Sequence, residues 1–393
     1  MMRPGSLLRD REGGTSVSNT ELFFDLVYVV AVTQVSTLLR HNPSWHGSLE
    51  GLVLLGMIWN AWIYTTWVTN WLDPELIPTR LMLLAVMAAS IVLAAGVADG
   101  YGDRGLWVGL SYAAIQVGRS CYTVWATRGD VLQRNYLRIL SWCLLSGALA
   151  VVGGACGGDV RLGLFAAAVV VDIVGGIVQF WTPGLGRSET AEWTIDGPHF
   201  AERCQAFVLI ALGESVVGIG APLIDAARLG GEAVVALATA FVAVATLFLL
   251  YFDRWAGEGT RAITATTDPG KLAARAYHLL HPLMIAGIIL IAAGNEELLA
   301  PLLRGAAEPD GQRAAIAWFC AGGGALFLLG HAVYIAMICG RRSIQHLIAA
   351  ALLLGLAAGG GALHAGGLTI ALCTAAVLVA LCLTEGPVSD PAA

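Results

Sequence analysis

Long apolar runs separated by short polar stretches organise this chain from one end to the other. They fall near residues 22–39, 49–71, 80–98, 106–127, 137–154, 161–181, 204–224, 231–252, 277–294, 314–339, 343–358 and 367–384. Crossing a hydrocarbon layer of ~30 Å takes about 20 residues of helix. None of the runs shows the period-2 alternation of barrel strands, and a lipid-facing segment has to satisfy its own backbone groups, as a helix does. The pattern predicts an all-α fold: a polytopic transmembrane helix bundle of about twelve helices. The fifth and eleventh runs are short, which leaves ten or eleven open.

Small motifs recur in the same order in both halves. Glu21-Leu-Phe-Phe-Asp25 opens the first helix and Glu202-Arg-Cys-Gln-Ala206 the seventh. Ala94-Ala95-Gly96 before Asp99 is answered by Ala292-Ala293-Gly294 before Glu296, and Gly118-Arg119-x-x-Tyr122 by Gly330-His331-x-x-Tyr334. The expectation is a 6+6 parallel pseudo-symmetric repeat, common in transporters and channels. It divides the chain into an N-terminal tail (1–20), a first six-helix repeat (21–181), a linker (182–201), a second repeat (202–384) and a C-terminal tail (385–393). Lys and Arg gather on the side of the N-terminus, and only Arg40, Arg104, Arg161, Arg228, Arg304 and Arg313 fall opposite. That bias predicts a cell-membrane protein with both termini cytoplasmic.

Composition agrees with lipid as the solvent. Of 393 residues, 57% are hydrophobic and 13% charged, where soluble proteins carry roughly 25% charged residues; the mean hydropathy is +0.73. The 48 glycines suit close helix packing, while the net charge of −6 changes nothing. Eight cysteines without Cys-x-x-Cys spacing read as small buried side chains, not as a metal or disulfide framework. The polar first twenty residues, and Asp25 inside the run that follows, predict no cleaved signal peptide. No nucleotide-binding loop, zinc motif or soluble catalytic domain is present, so no cofactor, metal or nucleic-acid partner is expected. The expected partners are the lipid bilayer and a small cation, proton or small solute, with a homo-oligomer left open.

Ionisable groups at the bilayer centre cost roughly 2.5–3.5 kcal/mol each on insertion scales, so each needs a reason. The candidates are Asp25, Arg119, Asp172, Glu214, His278, His281 and His331, with Glu202, Arg203 and Asp253 at the cytoplasmic face. Asp172 and Glu214 fall near the midplane, which suggests a polar cavity opening to the cytoplasm. Glu21 is explained by a helix start capped by Asn19 or Thr20. Asp25, flanked by Phe23, Phe24, Leu26 and Val27, is explained less well this way and reads as functional or as half of a buried structural ion pair. Glu214 is either protonated or partnered by a cation from another helix, Arg203 lying roughly 16 Å below it on its own helix. Arg119 and the histidines are the internal cations in view. His278 and His281 lack a third ligand at recognisable spacing, and Trp59, Trp62, Trp67 and Trp71 read as an interfacial belt.

Three of these stretches resemble a known family. Thr20-Glu-Leu-Phe-Phe-Asp-Leu-Val-Tyr-Val-Val-Ala-Val-Thr-Gln34 is similar to a signature of the bacterial low-temperature-requirement A family. So are His199-Phe-Ala-Glu-Arg-x-x-x-Phe207 with Ile210-Ala-Leu-Gly-Glu214-Ser215, and Tyr277-His-Leu-Leu-His281-Pro-Leu. Cys204 departs from the histidine the family often has, which weakens a metal or proton role there. The resemblance implies a multi-pass membrane protein and brings no agreed reaction or substrate. A fainter likeness to 6+6-helix potassium channels rests on Phe24-Asp25, without the serine of their Phe-Ser-Asp motif. The functional expectation is movement of a cation or small solute, coupled to protons. Glu214 and Asp25 would titrate, with Arg119 and His331 at equivalent countercharge positions and Asp172, His281, Glu21, Glu202 and Arg203 beside them. The rival expectations are a membrane-embedded enzyme acting on a lipid or isoprenoid, and a non-catalytic stress-adaptation protein.

Overall fold

A computed structural model of the chain describes residues 7–10, 16–189, 193–224, 226, 229–306, 310–362 and 365–385. The described residues form twelve helices and no strand. These are α1 (Asn19–His41), α2 (Trp45–Trp71), α3 (Ile77–Val97), α4 (Gly105–Ala126), α5 (Val131–Ala155), α6 (Gly158–Ile177), α7 (Gly197–Ile224), α8 (Gly231–Ala265), α9 (Pro269–Leu303), α10 (Gln312–Cys339), α11 (Ile344–Ala362) and α12 (Gly367–Glu385). Eleven are long and apolar enough to cross a membrane. The exception is α4, whose 22 residues include Ser111, Tyr112, Gln116, Arg119 and Ser120. The short fifth run proves to be a full helix of 25 residues, because Asp130 caps it with a hydrogen bond from Leu132 N at 2.9 Å.

Three helices contain a π turn: Tyr251–Trp255 in α8, Ala273–His278 in α9 and Trp318–Gly322 in α10. Each accommodates an extra residue in the helical ladder and re-aims the side chains on it. Those side chains include Tyr251, Trp255 and His278.

The chain divides into two compact units. Unit one comprises Met1–Leu38, His46–Phe207 and Ile263–Leu279; unit two comprises Leu39–Trp45, Val208–Ala262 and Leu280–Ala393. Within unit one, α3, α4, α5 and α6 pack in sequence, and α2 is the most enclosed helix, 89% buried over its most apolar window. Its polar side chains tie it to its neighbours. Trp59 Nε1 donates to His278 O at 2.8 Å, Tyr64 Oη to Asp172 O at 2.9 Å, and Trp71 Nε1 to Thr194 O at 2.8 Å. Trp59, Trp62, Trp67 and Trp71 of α2 are therefore no interfacial belt: all four are buried. An indole N–H inside a bilayer needs an acceptor, and the unit supplies one each for Trp59, Trp62 and Trp71.

In unit two, α9 packs against α10, α10 against α11, α11 against α12, and α12 and α9 against α8. The α9–α10 crossing depends on facing glycines: a Cβ on Gly287 would stand 2.6 Å from Gly323 O, and one on Gly323 2.8 Å from Gly287 O. Large apolar side chains cover the outside, among them Leu81 and Ile91 on α3 and Val234 and Phe241 on α8. A patch of that extent has lipid as its natural partner.

Candidate functional site

Two polar networks lie inside unit one. The first starts at the beginning of α1. Ser18 and Glu21 form a reciprocal cap, with Glu21 N donating to Ser18 Oγ at 3.2 Å and Ser18 N to Glu21 Oε2 at 3.0 Å. Ser18, not Asn19 or Thr20, is the cap. Glu21 Oε2 also takes Arg9 Nη2 at 2.7 Å, and Oε1 stands 3.0 Å from His199 Nε2.

The surroundings of His199 fix its tautomer. Asn70 Oδ1 accepts from Asp196 N and Asn70 Nδ2 donates to Asp196 O, both at 2.9 Å, so the amide cannot flip. The same Nδ2 reaches His199 Nδ1 at 3.1 Å, which makes Nδ1 the acceptor and leaves the proton on Nε2, toward Glu21. Asp196 in turn caps α7 by accepting from His199 N at 3.0 Å.

One turn further in, Asp25 meets Arg203. Nη1 and Nη2 of Arg203 each donate at 2.8 Å, one to each carboxylate oxygen, and Trp62 Nε1 adds a bond of 2.7 Å. Arg203 is fully buried, between the rings of Phe24 and Trp62. This corrects one expectation, since Arg203 is an internal cation; Asp25 is a member of a forked ion pair, one of the readings its sequence left open. Glu202, its neighbour, is exposed and stands outside the network.

The second network is centred on Asp172 of α6. Tyr112 Oη donates to Asp172 Oδ2, and Gln116 Nε2 donates to the same oxygen at 2.8 Å. Gln116 Oε1 accepts from Arg119 Nη2 at 2.5 Å, while Arg119 Nη1 donates to Ala61 O and Thr65 Oγ1, both at 3.2 Å. Arg119 thus reaches Asp172 only through an uncharged amide. Tyr112, Gln116 and Arg119 share one face of α4 by their spacing. Asp172 Oδ1 is buried and makes no hydrogen bond among the described residues. The Ser146 hydroxyl lies near enough to act on this carboxylate and also reaches Cys143 O at 3.3 Å.

In unit two, Glu214 is buried on α7 and has a polar partner. His281 Nε2 meets Tyr251 Oη at 2.8 Å, and His331 meets His346. Among the described residues no three His, Cys, Asp or Glu side chains are placed to hold a metal ion. Sequence reasoning missed Tyr112, Gln116, His199, His346 and Glu385. The i, i+4, i+7 stripe on α4 was a usable signal for the first two, as was Ser18-x-x-Glu21 for the cap. Nothing local marked His346 or Glu385.

The stretches Glu21–Asp25 and His199–Arg203 meet in one charged cluster, and both lie in the stretches whose sequence resembles a known family. Residues 16–382 match the model of the bacterial low temperature requirement A protein family (LtrA). The chain belongs to that family. An uncharacterized protein of Rhizobium meliloti (strain 1021) is 33% identical over 296 residues, covering 75% of this chain and 72% of the relative. No solved structure matches the chain. This LtrA member is a multi-pass membrane protein in which the family's signature residues bind α1, α2 and α7 together within unit one.

Proposed function

We propose that this LtrA protein moves a cation or small solute across the cell membrane, coupled to protons, and that Asp172 is the group that takes up and releases the charge. The observation that carries the reading is the difference between its two buried carboxylates in unit one. Asp25 has an arginine fork and an indole N–H, so both of its oxygens are hydrogen-bonded and its charge is matched. Asp172 has Oδ2 held by Tyr112 and Gln116, while Oδ1 makes no hydrogen bond among the described residues and the Ser146 hydroxyl lies near the carboxylate. A buried carboxylate with one unmatched oxygen is costly alone, and a proton or a cation arriving at Oδ1 removes that cost. Tyr112 and Gln116 hold the other oxygen in place throughout.

Arg119 serves as the countercharge at one remove. Its distance through Gln116 leaves Asp172 open to a cation, where a direct pair would close it. Glu214 is kept as the corresponding carboxylate of unit two, buried and partnered. The proposed duplication is supported by Gly96 and Gly294, which both allow a close crossing with the next helix: a Cβ would stand 2.9 Å from Val108 Cγ2 in one case and 2.6 Å from Cys320 Sγ in the other. The orientation, termini inside, rests on the Lys and Arg bias.

A ligand that binds only the folded state raises its stability with concentration. Thermal unfolding of the purified protein should rise with monovalent cation concentration or with proton activity, and Asp172→Asn should abolish that dependence. A dependence that survives Asp172→Asn would move the site elsewhere, and none in the wild type would end the cation reading.

A further inference from the structure

Unit two contains a string of polar groups that the site in unit one does not use. His331 on α10, His346 on α11 and Glu385 at the end of α12 follow one another. His331 Nδ1 lies 3.0 Å from His346 Nε2, and His346 Nδ1 lies 3.3 Å from Glu385 Oε1 and 2.7 Å from Ser343 Oγ. Glu385 Oε2 accepts from Trp255 Nε1 at 3.0 Å, and the Glu385 carbonyl from Arg254 Nη1 at 3.0 Å. Both histidines are fully buried, while Glu385 is half-buried. At the inner end His331 Nε2 is buried with no hydrogen-bond partner among the described residues, inside a box of the Tyr251, Trp255, Phe327 and Tyr334 rings.

Proton positions along this string are linked. A neutral imidazole has one donor and one acceptor nitrogen, and an ionised carboxylate only accepts. With Ser343 Oγ and Glu385 Oε1 both beside Nδ1, His346 can carry its proton there; Nε2 then accepts from His331 Nδ1, and His331 Nε2 is left as a bare lone pair. A proton that binds there makes His331 cationic. The His331 Nδ1 proton then passes to His346 Nε2, and the His346 Nδ1 proton to Glu385 Oε1. One N–H bond forms for each that breaks until the last step, which forms O–H, and a single positive charge crosses the string. Both rings end in the opposite tautomer, which Ser343 can hold by donating its hydroxyl to His346 Nδ1.

The geometry points to a proton relay, His331–His346–Glu385, between the interior of unit two and the end of α12. Chains of carboxylates and histidines are the form proton paths take in membrane proteins. The charged and titratable groups facing it are Arg254 and Tyr251 of α8, His281 of α9, Tyr334 of α10 and Cys382 of α12. The relay rests on the proton-coupled reading only for its purpose, and it can be tested apart from Asp172.

Glu385→Gln gives the sharpest test. Trp255 Nε1–H holds the new amide by its oxygen, so its NH2 faces His346 Nδ1 and donates. The inversion then propagates: His346 carries its proton on Nε2, and so does His331. In nitrogen-15 spectra of histidine-labelled protein in nanodiscs, His331 Nε2 should change from unprotonated to protonated in Glu385→Gln and stay unchanged in Asp172→Asn. In proteoliposomes with an internal pH dye, Glu385→Gln and His346→Gln should both lose the potential-driven proton uptake of the wild type. An unchanged His331 tautomer in Glu385→Gln overturns the relay, as does wild-type proton uptake in either variant or its absence from the wild-type protein. If Glu385→Gln does not fold, His346→Gln decides by uptake. Loss of cation dependence in Asp172→Asn with an undisturbed relay, or the reverse, tells the two readings apart.

Discussion

Asp25 and Asp172 are both aspartates on apolar helices, and what separates them is their partners. Removing one member of a buried ion pair leaves the other charge unmatched, at a cost of about 3–5 kcal/mol. Asp25→Asn should therefore lower unfolding stability by that order, read from chemical denaturation in detergent, because it strands Arg203. Arg203→Lys should recover only part of the wild-type stability, since an ammonium cannot reproduce the fork. Asp172→Asn keeps an oxygen for Tyr112 and Gln116 to donate to, and should leave stability within about 1 kcal/mol of wild type. The sequence marked Asp25 and Asp172 as unusual because charge inside an apolar run is costly anywhere. It did not reveal their partners. Asp25 and Arg203 are 178 residues apart, and reading Arg203 along its own helix set it at the membrane face, whereas the meeting of α1 and α7 encloses it.

At the level of elements, the apolar runs located the helices well, since a spanning helix has to be apolar over nearly its whole length. Their ends were less legible: polar caps such as Asp130 extend a helix beyond its apolar part. The π turns left no mark, because an inserted residue is stabilised by packing and not by composition. The tryptophans of α2 were misplaced because burial among helices and burial at an interface draw on the same residue types. Close crossings make a further prediction. A Cβ on Gly109 of α4 would collide with the Ala150 carbonyl oxygen of α5, whereas Gly118 of the same helix has nothing within 4 Å. Gly109→Val should cost about 1–3 kcal/mol by forcing α4 and α5 apart. Gly118→Ala should gain about 0.5–1 kcal/mol by stiffening an exposed helical position. Thermal unfolding of the two variants side by side separates packing from propensity.

At the scale of the whole molecule, an apolar exterior and a set of polar interiors were both legible in outline. Composition fixed the solvent, and the three family stretches predicted a membership that holds over residues 16–382. The division of labour among the buried groups was not legible, because it depends on which oxygen and nitrogen atoms remain free once the helices have packed. In unit one the signature residues close on each other and hold the structure, while Asp172 on α6 keeps an open oxygen. In unit two the histidines connect to Glu385, a residue that the apolar pattern alone assigned to the tail. The proposed movement of charge rests on the first arrangement, and the proposed relay on the second.

Cation and proton flux into liposomes holding the purified protein tests this most directly, with wild type, Asp172→Asn and Asp25→Asn compared at equal folded content. The account predicts equal flux in the wild type and Asp25→Asn, and none in Asp172→Asn. Wild-type flux that Asp172→Asn leaves intact, or a well-folded wild type that moves neither ion, would contradict it.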